Sequence, residues 1–153
     1  MKKVSIVIVS YNVKDYLMQC IRSIYRSNLD KNLYEIIVVD NDSHDGSIDF
    51  LESKFNKILI HKNNSNLGFS KAVNIGLKLA QGEYICILNP DIIIEQNTFD
   101  TLLDFCEKEN NVGAVGPKII NVDGTIQHSC KRSFPTPLNA IPRLLGLDRL
   151  FPK

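Results

Sequence analysis

Residues 4–12 read VSIVIVSYN, and this stretch decides the class of fold. Its almost continuous β-branched run predicts a strand, which ends where polar residues begin at Ser10. Comparable runs lie at Glu35–Val39, Ile58–His61 and Tyr84–Leu88. Continuous apolar content, rather than alternation, is typical of strands that are covered on both faces, as in a parallel sheet.

Four segments with apolar residues at a period of 3.6 residues separate and follow these strands, and they predict helices. We expect Asn12 to cap the first helix and Gly82 to stop the third. The residues expected to face the sheet are Leu17, Cys20, Ile21, Ile24, Ile48, Leu51, Phe55, Phe69, Ala72, Val73, Gly76, Ala80, Phe99, Leu102, Leu103 and Cys106. Repeated strand and helix predict right-handed βαβ units, and therefore an α/β fold with a doubly wound, mostly parallel sheet.

The chain changes character after the fourth helix. Val112–Val115 predicts one more strand, and residues 118–120 and 125–127 flank an Asp-Gly turn that predicts a β-hairpin. From Ser133 onward, prolines interrupt an apolar stretch. We therefore divide the chain into a domain over residues 1–132 and a Pro-rich apolar tail over 133–153.

Composition and charge exclude several classes of protein. The 153 residues are 44% hydrophobic and 23% charged, which is ordinary for a folded domain and argues against disorder. A net charge of +1 provides no field for a polyanion, so we expect no nucleic-acid partner. The four cysteines form no CxxC pair, so neither a zinc knuckle nor a redox dithiol is predicted. We expect Cys20, Cys86 and Cys106 to be small buried apolar residues.

No targeting or membrane-spanning segment is predicted. The apolar run after the N-terminal lysines is short and lacks a cleavage site, which argues against a signal peptide. No stretch approaches the ~20 apolar residues of a membrane helix. We expect a cytoplasmic chain, which could still touch the inner face of a membrane.

Polar residues follow every predicted strand, at the edge where open α/β sheets bind ligands. These stretches are Ser10-Tyr11-Asn12, residues 40–46 (DNDSHDG), residues 66–69 (NLGF) and Asn89-Pro90-Asp91. Turn formation and helix capping explain Ser43, Asp45 and Gly46. They explain Asp40 and Asp91 poorly, because both follow buried strands near the expected crevice.

The residue types at this edge restrict the ligand. Neither a GxGxxG loop nor a Walker A loop is present, so the backbone fingerprints for dinucleotides and phosphates are absent from the sequence. Carboxylates repel phosphates, but they can hold a divalent cation that binds the phosphates. Asp91 is the best candidate for that role, whereas Asp40 is better suited to accept hydrogen bonds from a base or a ribose.

Taken in order, residues 4–12, 38–46, 66–76 and 82–91 resemble the family 2 glycosyltransferases of the GT-A (Rossmann-like) fold. Residues 112–118, followed by Asp123-Gly124 and Gln127, are similar to the rhamnosyltransferase-like branch of that family. The resemblance covers essentially the whole chain. Each block alone is weakly specific, but five blocks in the right order at the right strand ends are strongly specific.

The resemblance implies a donor-nucleotide site, made up of Ser10, Tyr11, Asn12, Asp40, Asp42, Gly68, Asn89 and Asp91. Asp40 would read uracil or thymine. Asn89-Pro90-Asp91 takes the place of the family's Asp-x-Asp motif, in which Asp91 would bind Mg²⁺ or Mn²⁺ on the donor diphosphate. Because Asn89 carries no charge, we expect weaker metal affinity than two carboxylates would give.

The resemblance also implies an inverting glycosyltransferase. It would move a sugar from a UDP- or dTDP-sugar to a glycan or lipid-linked acceptor in cell-surface polysaccharide synthesis. The family's catalytic base falls beyond residue 153, so we expect residues 1–132 to bind the donor, residues 133–153 to begin an acceptor-side region, and this truncated chain to transfer sugar poorly or not at all. The alternative is a non-catalytic nucleotide-sugar-binding or docking module, which needs no base. A nucleotidyltransferase or flavodoxin-like protein fits less well, given Asn89-Pro90-Asp91 and the missing phosphate loop.

Overall fold

The computed structural model describes residues 3–127. The chain divides into two compact units, Met1–Val115 and Gly116–Lys153. Strands and helices alternate throughout the first unit. They are β1 (Val4–Ser10), α1 (Lys14–Arg26), β2 (Tyr34–Asp40), α2 (Ser47–Lys54), β3 (Ile58–Lys62), α3 (Phe69–Leu79), β4 (Tyr84–Leu88) and α4 (Thr98–Lys108).

The four strands form one parallel sheet in the order β3-β2-β1-β4. The chain winds outward from β1 to β3, and then crosses back to place β4 on the other side of β1. This reversal confirms the predicted doubly wound α/β fold. It also places the switch point between β1 and β4, where such sheets bind ligands.

Helices cover the sheet from both sides. Side chains of α1, α2 and α4, among them Leu17, Leu51 and Phe99, pack with Ile6 and Ile8 on one face. On the other face, α3 packs its own residues onto the two central strands. The members of that second cluster are Val7, Val9, Ile37, Val39, Ala72 and Val73. Every residue of β1 is buried as a result, and β2 is buried except at Glu35.

The expectation that every strand is covered on both faces is wrong for the outer strands. Ile85 and Ile87 of β4 are 43% and 51% exposed, and Leu59 of β3 is 40% exposed. The physical reason is that α3 contacts β1 and β2, the two central strands. β4 therefore alternates between partly covered and exposed side chains although its sequence is continuously apolar, and β3 exposes Leu59.

Two predicted helix ends are also wrong. Asn12 does not cap α1, which begins at Lys14 after Val13 without a side-chain cap. Gly82 does not end α3, which stops at Leu79. A Cβ at Gly82 would lie 2.6 Å from the backbone nitrogen of Ser5, so this glycine serves a close approach to β1.

Individual residues near the helix ends also depart from expectation. Phe69 was expected to face the sheet, but it is the first residue of α3 and is 53% exposed. Phe55 and Ala80 lie just beyond the ends of α2 and α3. Helical periodicity therefore predicts the buried faces correctly, but it extends the predicted helices beyond their actual ends.

The predicted strand at Val112–Val115 is irregular in the structure, so that prediction is wrong. In the second unit, Ile120 forms an antiparallel bridge with Ile126. Gly124 closes the predicted Asp-Gly turn with a φ of 82°, and its N–H donates to the carbonyl of Asn121 at 2.9 Å. The turn is confirmed, with one bridge in place of a longer ladder.

Residues 133–153 lie outside the described part of the chain, as does Cys130. The boundary expected at residue 132 therefore stays a prediction. Within residues 3–127, no helix combines the length and the apolar composition that a membrane crossing requires.

The contact between α3 and the sheet depends on the absence of a side chain at Gly76. A Cβ there would clash with Val7 Cγ1 and would lie 3.3 Å from Val39 Cγ2. We predict that Gly76→Ala lowers the free energy of unfolding by about 1–3 kcal/mol, as overpacked cores do. Urea unfolding measures this. Gly113→Ala is the matched control, because a Cβ at Gly113 would have no neighbour within 4 Å. Equal stability of the two variants would contradict the packing argument.

Candidate functional site

The predicted site residues follow four parallel strands and therefore lie along one edge of the sheet. Along that edge the order is the loop with Gly68 beyond β3, then Asp40 at the end of β2, Ser10 at the end of β1, and Asn89 after β4. Ser10 and Asp40 are direct partners in the strand register. The doubly wound topology thus places at one edge residues that are distant in sequence.

Asp40 is a buried carboxylate with its own set of donors. It is 3% exposed. The hydroxyl of Ser43 donates to Oδ1 at 2.6 Å, and the backbone N–H of Ser43 donates to Oδ2 at 2.9 Å. A buried charge is tolerated when such hydrogen bonds replace water. Because a carboxylate offers about four lone-pair positions, Asp40 retains capacity to accept from a ligand.

The loops after β1 and β2 are joined by three hydrogen bonds. The backbone N–H of Asn12 donates to Ser43 Oγ at 2.9 Å, and Asn12 Oδ1 accepts from the N–H of His44 at 2.8 Å. The N–H of Asn41 donates to the carbonyl of Ser10 at 2.8 Å. These bonds explain why Asn12 is not a helix cap: its side chain bonds to the loop after β2.

Two residues of these loops adopt the left-handed backbone region, namely Asn12 with a φ of 51° and Asp42 with a φ of 69°. That region is uncommon for residues other than glycine, although Asn and Asp tolerate it best. Such conformations persist where surrounding contacts hold them, and they are frequent at functional sites. The cross-loop hydrogen bonds of Asn12 supply those contacts here.

Asp45 links the first turns of two helices. Its Oδ2 accepts from the N–H of Lys14 at 2.8 Å, and its Oδ1 accepts from the N–H of Ser47 at 3.0 Å. Burial alone would raise the pKa of Asp45, but the hydrogen bonds from Ser47 and Lys14 outweigh it and hold the pKa below its ordinary value. The positive ends of both helix dipoles favour the same ionised state.

The remaining predicted residues of the nucleotide pocket differ in exposure. Ser10 is fully buried, and its hydroxyl has no hydrogen-bond partner in the described structure. Tyr11 is 47% exposed. Asp42 is partly exposed, with Oδ2 3.7 Å from Nε2 of His44. Gly68 opens α3 with a φ of 79°, and its N–H donates to Oδ1 of Asn66 at 2.9 Å.

The unpaired hydroxyl of Ser10 needs an explanation, because a buried polar group without a partner costs about 1–3 kcal/mol. Native structures contain few such groups. Its position at the end of β1, beside the switch point, makes an incoming ligand a suitable partner.

The loop after β4 carries the other two predicted residues, and it is tied to α1 by a hydrogen bond from the N–H of Ile94 to Ser23 Oγ at 2.9 Å. Asn89 and Asp91 are both exposed, and a long 3.4 Å hydrogen bond from the N–H of Ile92 to the carbonyl of Asn89 closes the turn. The thiol of Cys20 contacts the same carbonyl at 3.7 Å. Burial, together with the charges of Cys86 and Asp91, raises the pKa of Cys20 to about 12. This thiol is therefore protonated and acts as an apolar filler, as the sequence predicts.

The described residues fit a divalent cation that is shared with a substrate, and they do not fit one that is enclosed by protein side chains alone. Residues 3–127 contain no group of three or more His, Cys, Asp or Glu side chains able to enclose a metal ion. Mg²⁺, however, is commonly held by one or two carboxylates together with phosphate oxygens of a substrate. Asp91, exposed beside the amide of Asn89, fits that second mode.

One residue of this edge was not predicted from the sequence, and two others have partners that turn formation does not explain. Asn63 is 8% exposed, its Nδ2 donates to Oδ1 of Asn41 at 2.9 Å, and its N–H donates to the carbonyl of Asp40 at 2.9 Å. It directly follows β3, so the rule used for the other strands would have identified it. Ser43 and Asp45 were assigned to turn formation, whereas the structure gives them tertiary partners.

A doubly wound α/β domain with buried and exposed carboxylates at its carboxyl edge is typical of nucleotide-binding proteins. The sequence model of "Glycosyl transferase family 2" matches residues 5–148. The chain therefore belongs to family 2 of the glycosyltransferases, as its resemblance indicates, and its GT-A fold agrees.

Two relatives illustrate the similarity. The minor teichoic acid biosynthesis protein GgaB of Bacillus subtilis is 32% identical over 135 residues, which are 85% of this chain and 15% of that protein. The poly(ribitol-phosphate) beta-glucosyltransferase of Bacillus spizizenii is 32% identical over 126 residues, 80% of this chain and 20% of that protein. The chain thus spans less than a quarter of the length of these two relatives.

Among solved structures, TarS 1-349 of Staphylococcus aureus superposes with a TM-score of 0.65 and 27% identity, covering 69% of this chain and 32% of that one. The same TarS fragment in complex with UDP-GlcNAc gives a TM-score of 0.65 at 22% identity, covering 80% and 41%. These similarities agree with the GT-A fold. They do not distinguish the rhamnosyltransferase-like branch, which stays a prediction.

The low pKa of Asp45 leads to a prediction about stability and pH. A carboxylate whose pKa is depressed in the folded state stabilises above its unfolded pKa of about 3.9 and loses that contribution as pH falls through the folded value. We predict that Asp45→Asn costs about 1 kcal/mol at pH 7, because an amide nitrogen replaces one of the two accepting oxygens and leaves one helix N–H without its acceptor. The difference from the wild type should shrink below about pH 4.

Urea unfolding at pH 7 and pH 3 measures both effects. Asp104→Asn is the control, because Asp104 pairs only with Lys108 in an exposed i, i+4 contact. Such a contact contributes about 0.3–0.5 kcal/mol. If Asp45→Asn lowered the free energy of unfolding equally at both pH values, the ionised form of Asp45 would not be what stabilises the two helix starts.

Proposed function

We propose that this chain forms the donor-nucleotide site of an inverting glycosyltransferase, which transfers a sugar from a UDP- or dTDP-sugar to a glycan or lipid-linked acceptor. The observation that carries the proposal is the buried Asp40 carboxylate, held by Ser43 beside the loop of β1 at the carboxyl edge of the sheet. Family membership supplies the reaction type.

Asp40 suits a uracil or thymine base. An ionised carboxylate accepts hydrogen bonds and donates none. Uracil and thymine present an N3–H donor on their pairing edge, whereas cytosine presents an acceptor at the same position. Tyr11, half exposed beside Ser10, offers a ring on which a base can stack. The proposed base preference therefore rests on hydrogen-bond polarity, with stacking adding affinity.

The diphosphate would lie toward β4. There Asp91 would hold Mg²⁺ or Mn²⁺, with Asn89 donating its amide to the ribose or a phosphate. When bound, such a cation stabilises the negative charge that grows on a departing nucleoside diphosphate. Asp91 would thus contribute by holding the cation that offsets the charge of the phosphates, and Asn89 would bind without adding a second carboxylate charge that repels them.

Inverting transfer needs a base that removes the proton of the acceptor hydroxyl. Three carboxylates of this edge already have other roles: Asp40 is assigned to the nucleotide base, Asp45 is held by two helix starts, and Asp91 is assigned to the cation. We place the base in the part of the family's fold that follows the donor site. The catalytic residue of the whole protein therefore stays a prediction.

The relatives indicate the biological setting. GgaB is named for minor teichoic acid biosynthesis, and the enzyme of Bacillus spizizenii for glucosyl transfer to poly(ribitol phosphate). TarS was solved with UDP-GlcNAc. By similarity, we place this chain in the synthesis of a cell-surface polysaccharide, at the inner face of the membrane where such acceptors are assembled.

Binding of the nucleotide tests this proposal. We predict that UDP or dTDP binds the purified chain more tightly with Mg²⁺ or Mn²⁺ than without. Asp91→Asn should abolish that difference, since it removes the charge and keeps the shape. Isothermal titration calorimetry measures the dissociation constants, and a loss of about tenfold or more with metal present corresponds to at least 1.4 kcal/mol.

Glu95→Gln is the matched control, because Glu95 is an exposed carboxylate in the same loop between β4 and α4. It should leave binding unchanged. Failure of both nucleotides to bind a folded sample would reject the donor site. If binding of the nucleotide still depended on metal in Asp91→Asn, residues other than Asp91 would hold the cation.

A further inference from the structure

We propose that Ser43 is a positioning residue for the nucleotide. Its hydroxyl fixes the orientation of the Asp40 carboxylate and of the loop after β1, and it thereby sets how well the site distinguishes uracil from cytosine. This inference rests on the proposed function, in which Asp40 accepts a hydrogen bond from the base. Nothing in the turn-forming tendency of serine requires such a role.

The hydroxyl of Ser43 lies between the two loops and contacts both. It donates to Asp40 Oδ1 at 2.6 Å and accepts from the backbone N–H of Asn12 at 2.9 Å. The direction follows from chemistry, because a carboxylate accepts and a backbone N–H donates. The distance of 2.6 Å lies in the range of hydroxyl hydrogen bonds to charged carboxylates, which are about twice as strong as neutral ones.

The backbone of Ser43 cannot replace this hydroxyl. Without the hydroxyl, Asp40 keeps the N–H of Ser43 on Oδ2. Oδ1 loses its donor, and the terminal torsion of an aspartate is broad, so one remaining bond permits the carboxylate to rotate. Its free lone pairs would then no longer point in one fixed direction toward a base.

The loop after β1 would loosen at the same time. The N–H of Asn12 would lose its acceptor, although its side chain would still accept from His44. Because Asn12 has a left-handed backbone and directly follows Tyr11, its displacement would move the ring proposed to stack on the base. One hydroxyl therefore controls both the hydrogen-bonding and the stacking partners of the nucleotide.

A purely structural role gives a different expectation. If Ser43 only stabilised the turn after β2, its loss would lower the free energy of unfolding and would weaken all nucleotides equally. A positioning role lowers the preference for UDP over CDP, because that preference depends on a correctly aimed acceptor. The ratio of the two dissociation constants separates these roles.

The experiment titrates UDP and CDP into the 153-residue chain and its variants with Mg²⁺ present, with urea unfolding in parallel. We expect Ser43→Ala to weaken UDP about tenfold, the size associated with one hydrogen bond to a charged group, and to lower the preference for UDP by a similar factor. Ser43→Thr retains the hydroxyl and should stay close to the wild type. Ser53→Ala is the matched control, because the hydroxyl of Ser53 donates within α2, to the carbonyl of Phe50 at 2.8 Å.

An unchanged UDP-to-CDP ratio in a folded Ser43→Ala chain overturns the inference and leaves the proposed function intact. If Ser43→Ala does not fold, Ser43→Cys keeps the volume with a weaker donor, and an unchanged ratio in that variant overturns the inference equally. If the wild type binds neither UDP nor dTDP, the proposed function fails first and the inference fails with it. Preferential loss of UDP, rescued by threonine, supports Ser43 as a positioning residue.

Discussion

The burial of β1 and β2 on both faces is the constraint from which the site follows. Helices cover both sides of these strands, so every side chain of β1 and nearly every side chain of β2 is withdrawn from water. Ligands are therefore excluded from the faces and can reach these strands only at their ends. Parallel pairing then brings Ser10 and Asp40 side by side at one edge. The position of the candidate site therefore follows from the sheet, and the loops add further polar contacts to it.

The Ser5 cluster at the amino end of the sheet and the Ser10–Asp40 pair at its carboxyl end differ in how far their hydrogen bonds are satisfied, although the buried hydroxyl of Tyr34 at the amino end also lacks a partner in the described structure. At the amino end, the hydroxyl of Ser5 donates to Oε1 of Glu35 at 2.5 Å and accepts from the N–H of Gly82 at 2.8 Å. These groups satisfy one another and hold the turn into β4. At the carboxyl end, the hydroxyl of Ser10 lacks a partner in the described structure, and Asp40 retains accepting capacity. The hydrogen bonds of Ser5 stabilise the fold, whereas the unpaired hydroxyl of Ser10 and the remaining lone pairs of Asp40 are available to a ligand.

The sequence predicts what depends on local pattern and misses what depends on distant partners. The continuous apolar runs identify all four strands, and the rule for strand ends identifies Asp40. Asn12 is misread as a helix cap, because its actual partners, Ser43 and His44, lie more than thirty residues away. Gly82 is misread as a helix stop for the same reason, since the backbone it approaches belongs to β1. The exposure of Ile87 depends on the position of α3, and the local sequence of β4 carries no information about that position.

The two halves of the proposed nucleotide site differ in how far they are formed before a ligand arrives. On the nucleoside side, Asp40 is already held by Ser43 of its own loop and Asn12 by cross-loop hydrogen bonds, so binding a base would require little further ordering. On the diphosphate side, Asp91 is exposed, and the hydrogen bond nearest to it, from the N–H of Ile92 to the carbonyl of Asn89, is long at 3.4 Å. A single exposed carboxylate attracts a free cation weakly, because water screens it. In the proposed site the phosphates would complete the ligand set, so cation and nucleotide would bind together, and selection among nucleotides would depend on the half that folding has already ordered.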